Sequence, residues 1–93
     1  MAKDTGREME EQLVGYRKRI DALDNIIAER LNERAKIVLS IRELKDKAQL
    51  PLFDSQREQE ILTRLSLSNK GPLSDEDLKE IYRHVLFHMK NFE

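Results

Sequence analysis

The chain contains no cysteine and no tryptophan, and only two prolines, three glycines and 5% aromatic residues among its 93 positions. The missing thiols exclude disulfides and thiolate chemistry and favour a reducing compartment. So few prolines and glycines leave long stretches without a helix breaker, and no segment alternates as a strand does. No apolar run approaches the roughly 18 residues of a membrane span, and the polar start MAKDTGREMEEQ is not a secretion signal. A surplus of one charge is absent too. The formal net charge of −1 offers no general field for nucleic acid, so any basic function must come from a local cluster. The expectation is a cytoplasmic protein with neither a membrane nor a nucleic-acid partner.

What the chain does contain is apolar and charged residues in near-equal shares, 39% and 38%, the profile of a helical bundle. A domain of this size buries only about two thirds of its unfolded surface, so a partner chain would help it. Residues 1–8 lack periodicity and are expected to be disordered, with 9–93 forming one domain.

The first long segment shows the pattern most clearly. At alternating spacings of three and four it reads Leu13, Tyr16, Ile20, Leu23, Ile27, Arg30, Arg34, Ile37, Ile41, Leu44 and Ala48. This is a heptad seam, apolar at both ends, with two guanidinium groups in the middle where Leu or Ile would serve packing. A guanidinium stays charged and is costly to bury alone, so the seam predicts an anionic partner there. No Gly or Pro lies between Tyr16 and Leu50, which predicts one helix of about 35 residues, roughly 50 Å long.

Pro51 ends that helix. In Asp54-Ser55-Gln56-Arg57-Glu58, Ser55 with Glu58 matches a capping box and Asp54 is an equally good cap, so a second helix starts at one of them. Ile61, Leu62 and Leu65 form its apolar stripe, and Ser68-Asn69-Lys70-Gly71-Pro72 stops it. Ser74 caps a third helix whose buried face is predicted to hold Leu78, Ile81, Tyr82, Val85, Leu86, Met89 and Phe92. Three helices, one long and two shorter, make the fold class all-α.

Each helix also brings charge to its apolar face. Arg34 and Lys45 fall within about 20° of one another on the first helix, roughly 16 Å apart, and can look into one cavity. Asp54 and Glu58 lie within about 60° of Ile61, with Arg57 at the edge of that arc, and Glu93 falls about 40° from Met89. Any one of these is explained by a side chain that snorkels to water. Jointly, Arg34, Lys45, Arg57 and Glu58 favour a shared anion-binding pocket. Arg17 is about 25 Å from Arg34 along the same rod, but in an antiparallel pair of long helices with its two-fold axis near residue 28 it meets position 40 of the other copy. Two Arg and a Lys in one cavity suit a compact dianion, with guanidinium clamps on carboxylates and an ammonium beside an atom that gains negative charge. His84 and His88, at i and i+4 with no third ligand in view, read as surface residues, and no metal or cofactor is expected. Tyr16, Tyr82 and Phe87 read as packing residues.

These residues in this order resemble the all-helical chorismate mutase family. The likeness runs from Tyr16-Arg17-Lys18-Arg19-Ile20-Asp21-Ala22-Leu23-Asp24 through Ala28-Glu29-Arg30, Arg34, Lys45, Pro51, Asp54-Ser55-Gln56-Arg57-Glu58 and Ile81-Tyr82-Arg83 to Glu93. It implies an intertwined homodimer of three-helix subunits, each site completed by Arg17 of the other subunit. It further implies that Arg17 and Arg34 hold the carboxylates of chorismate and that Lys45 serves a carboxylate and the ether oxygen. Glu58 would accept from the ring hydroxyl, Arg57 would support the ring carboxylate, and Asp54 would offer its backbone N–H. Such domains are often fused to prephenate dehydratase, so a C-terminal enzyme domain is an expected neighbour.

Two positions depart from the family's commonest pattern. Glu93 stands where many members place a glutamine that donates to the ether oxygen, and Met89 stands where they place a small polar residue. A carboxylate there must be protonated to donate; Lys45 opposes that and burial favours it. Isochorismate pyruvate lyase on the same fold, or a non-catalytic helical dimerisation domain in which Arg30 and Arg34 pair with Glu29 and Glu33 of a partner, are the alternatives the residues leave open.

Overall fold

A computed structural model describes residues 5–90 and consists of three helices: α1 (Thr5–Ala48), α2 (Ser55–Ser68) and α3 (Asp75–Lys90). No strand occurs among the described residues. The all-α prediction and the order of one long and two short helices hold. No described helix is long and apolar enough to cross a membrane.

The chain forms two compact units, Met1–Arg34 and Ala35–Glu93. Within the first, α1 begins at Thr5, so residues 5–8, expected to be disordered, are helical. The physical reason is local. Arg7 and Glu11 pair at i, i+4, 3.5 Å apart, and Glu8 sits in the first turn where the helix dipole favours an anion. Gly15 lies within the helix with open space around its missing side chain.

In the second unit, α1 ends at Ala48. Gln49 turns the chain with φ 56°, in the left-handed region, and Leu50 N–H donates to the Lys45 carbonyl at 2.9 Å. Asp54 is the cap of α2. Its carboxylate accepts from Arg57 N–H at 3.1 Å, which resolves the choice between Asp54 and Ser55. The stop at Ser68–Pro72 is built on Asn69. Its Oδ1 accepts from Gly71 N–H at 3.2 Å, while its Nδ2 donates to the Leu73 carbonyl and to Asp75 Oδ1, each at 2.8 Å. Gly71 takes φ 71°, a conformation a side chain would strain. Ser74 Oγ then accepts from Asp77 N–H at 3.1 Å and caps α3 as predicted.

The core lies between α2 and α3. Ile61, Leu62 and Leu86 are buried, with Leu65 and Tyr82 packed against them. The expected stripe of α2 is therefore the one buried. On α3 the prediction needs correction. Ile81 is 51% exposed, because Tyr82 and Leu86 take the side that meets α2. Phe92 lies outside the described residues.

Candidate active site

α1 buries no residue. The apolar members of its seam, Leu13, Tyr16, Ile20, Leu23, Ile27, Ile37, Ile41 and Leu44, are all exposed in the single chain. Of the two cations that interrupt them, Arg30 already has its anion. Nη1 donates to both carboxylate oxygens of Glu33 at 2.9 Å, and the two side chains are 71% and 58% exposed. The anion expected at Arg30 is thus Glu33, which the i, i+3 spacing supplies within the helix. Arg34, one turn further on, is half-buried, whereas Arg17 is exposed. Tyr16 carries Arg19 over its ring at 5.7 Å and is exposed, so within the chain it is not the packing residue predicted.

The second unit collects Lys45, Asp54, Arg57 and Glu58 around the passage from α1 to α2. Lys45 is half-buried, and its Nζ donates to the Leu52 carbonyl at 3.4 Å. That bond points the ammonium at the loop. Asp54 follows two residues later, using its side chain as the cap and leaving its backbone N–H outside the capping bond. Arg57 is exposed and lies 3.8 Å from Glu60, a loose pairing. Glu58 is half-buried and lines a cavity of about 330 Å³ between α2 and α3, together with Phe53, Leu62, Arg83, Leu86 and Lys90. Met89 is half-buried on α3, and Glu93 lies outside the described residues. A larger groove, about 630 Å³, runs along α2 past Gln56, Thr63, Arg64 and Leu67, and none of the predicted site residues lines it.

Two residues at this cavity are not among the predicted site residues. Lys90 places Nζ 4.0 Å from the centroid of the Phe53 ring, and Arg83 lines the same wall. Residues 53 and 90 are too far apart in the chain for any helical periodicity to link them. Phe87, read as packing, is 58% exposed and meets His88 edge to face at 5.5 Å. His84 and His88 are exposed, and no group of three potential metal ligands occurs among the described residues.

The cavity sets one half-buried carboxylate, Glu58, among apolar walls with Arg83 and Lys90 at its margin, an arrangement that can hold a hydroxyl beside positive charge, whereas Lys45 and Arg57 do not line it. It offers no thiol, and no histidine lines the cavity.

Comparison with known proteins gives this arrangement its context. The family model described as chorismate mutase type II matches residues 16–93. A bifunctional chorismate mutase/prephenate dehydratase of Aquifex aeolicus is 41% identical over 80 residues, 82% of this chain and 22% of that protein. A chorismate mutase of Methanocaldococcus jannaschii is 31% identical over 83 residues, covering 88% of this chain and 84% of that one. The solved chorismate mutase of Helicobacter pylori, in complex with prephenate, superposes with a TM-score of 0.82 at 36% identity, over 88% of this chain and 89% of that one. Form II of the Thermus thermophilus chorismate mutase gives 0.86 at 28% identity, over 87% and 92%. The chain spans about a fifth of the length of the bifunctional relatives it matches.

Proposed function

Because the chain belongs to the chorismate mutase type II family, we propose that it isomerises chorismate to prephenate, as a cytoplasmic homodimer serving phenylalanine and tyrosine biosynthesis. The observation that carries this reading is the extent of the family match, which runs from residue 16 to 93 and takes in every residue assigned to the site. The prephenate found in the Helicobacter pylori relative supports the same substrate class.

The rearrangement breaks the ether C–O bond as a C–C bond forms, within one molecule and without a covalent intermediate. The protein must therefore supply a compact substrate conformer and fixed positive charge beside the ether oxygen, which becomes partly negative in the transition state. Arg34 and Arg17 of the other subunit hold the two carboxylates. Lys45 serves a carboxylate and the ether oxygen, Arg57 supports the ring carboxylate, and Glu58 accepts from the ring hydroxyl. The Asp54 backbone N–H donates to substrate, and Met89 closes the α3 side. Protonated Glu93 donates to the ether oxygen.

The exposed stripe on α1 supports a dimer. Leaving Leu13, Ile20, Leu23, Ile27 and Leu44 in water forgoes about 25 cal/mol for each Å² that a second α1 would cover. Antiparallel, intertwined pairing covers that stripe and brings Arg17 to the neighbouring site. It also closes residues 9–93 into one functional domain. The bifunctional relatives suggest a prephenate dehydratase module in the full-length protein.

The test is loss of chorismate absorbance with the purified protein. Wild type should turn over chorismate and not isochorismate, and Arg34→Ala should lose on the order of 10²–10³ in kcat/KM. Equal inertness of the two proteins overturns the enzyme reading, and release of pyruvate from isochorismate would replace it with the lyase. A rate per site that rises as pH falls from about 8 toward 5, flattened by Glu93→Gln, supports a protonated Glu93; a rise toward alkaline pH contradicts it.

A further inference from the structure

We propose that Lys90 is a positioning residue for the mutase site, acting through the face of Phe53. The proposal rests on the mutase reading above and adds to it a residue outside the anion clamp.

Three consecutive loop residues each have a different anchor. The Leu52 carbonyl accepts from Lys45 Nζ near the end of α1, the Phe53 ring lies under Lys90 Nζ from the last turn of α3, and Asp54 caps α2 through Arg57 N–H. The Phe53–Lys90 distance of 4.0 Å is well inside the roughly 6 Å range of a cation–π contact. Phe53 is 50% exposed and Lys90 is exposed, so the contact does not owe its geometry to core packing. An ammonium holds a ring there while keeping its outer side hydrated, which an aliphatic side chain of the same length does not. The other two anchors leave the loop play. The Lys45 bond is long at 3.4 Å, and the Asp54 cap fixes only the start of α2.

The consequence concerns Lys45. Its ammonium is the charge assigned to the ether oxygen, and its bond to Leu52 shares the loop that Lys90 holds. Releasing Phe53 lets Leu52 move, and a charge that must be fixed in the transition state becomes mobile. The loss therefore falls mainly on kcat, with a smaller rise in KM, because the arginine clamps on the carboxylates are intact while Lys45 serves a carboxylate as well as the ether oxygen.

Lys90→Met keeps length and removes charge; Lys90→Arg keeps charge. Measured per folded site well below the melting temperature, Lys90→Met is expected to lower kcat about two- to fivefold, with Lys90→Arg restoring it. Phe53→Leu should match Lys90→Met, and the double variant should be no worse than either single. The chain lacks tryptophan, so Phe53→Trp places a single indole at the contact, and adding Lys90→Met should shift its emission. Wild-type turnover with Lys90→Met unimpaired, losses that multiply in the double variant, or emission indifferent to Lys90 would each overturn the proposal alone. An inert wild type would instead remove the mutase reading on which it depends.

Discussion

α1 and the α2–α3 pair each carry an apolar stripe but satisfy it differently. α2 and α3, 14 and 16 residues long, bury Ile61, Leu62 and Leu86 against each other. α1, with 44 residues, buries none, and Leu44 is 66% exposed. Helical periodicity marks a face that will be covered; it does not say by which chain. Where the stripe finds a complement nearby in sequence, a hairpin core results. Where it does not, the uncovered stripe is the strongest internal argument for a second copy.

Charge on the apolar faces divides in the same way. Arg30 has a partner three residues away and needs nothing more. Lys45, Asp54 and Glu58 gather about a loop and a cavity, where helix ends leave backbone groups to be satisfied and side chains converge.

The contrast can be broken most severely at the core. Leu62→Ala should cost about 2–5 kcal/mol, enough to unfold much of the α2–α3 pair, and thermal or urea denaturation reads it directly. Leu23→Asp, on the α1 stripe, should leave helix content by circular dichroism near wild type and convert the proposed dimer to monomer by sedimentation, with loss of turnover. A variant that stays dimeric would place the interface elsewhere. Asp54→Ala removes the α2 cap and should cost about 1 kcal/mol, seen as a lowered denaturation midpoint. Arg30→Ala breaks only an exposed ion pair, worth about 0–1 kcal/mol, and should leave kcat/KM within about threefold of wild type. A large loss there would give Arg30 the substrate contact proposed for Arg34.

The elements legible in sequence are those set by short-range chemistry. Asp54 and Ser74 cap their helices through bonds to a residue three positions on, and Asn69, Gly71 and Pro72 end α2 within a few residues. The stripe Ile61, Leu62, Leu65 is readable because α2 has one apolar side. Ile81 departs from expectation because α3 carries more apolar residues than one neighbour can cover, and periodicity cannot rank them. The charge pattern names Lys45 and Glu58, but it cannot show that the Lys45 ammonium reaches the Leu52 carbonyl or that Lys90 lies on Phe53, since both depend on the path of the loop. The start of α1 escapes a reading of apolar spacing because its first turns are held by charge pairing.

If each site is assembled from two chains, subunit exchange between Arg17→Ala and Arg34→Ala will reveal it. Each variant alone has two damaged sites. In a mixed dimer one site keeps both arginines and the other loses both, so random exchange, which makes half the dimers mixed, should restore roughly a quarter of wild-type turnover. A mixture no more active than its two components would contradict the account.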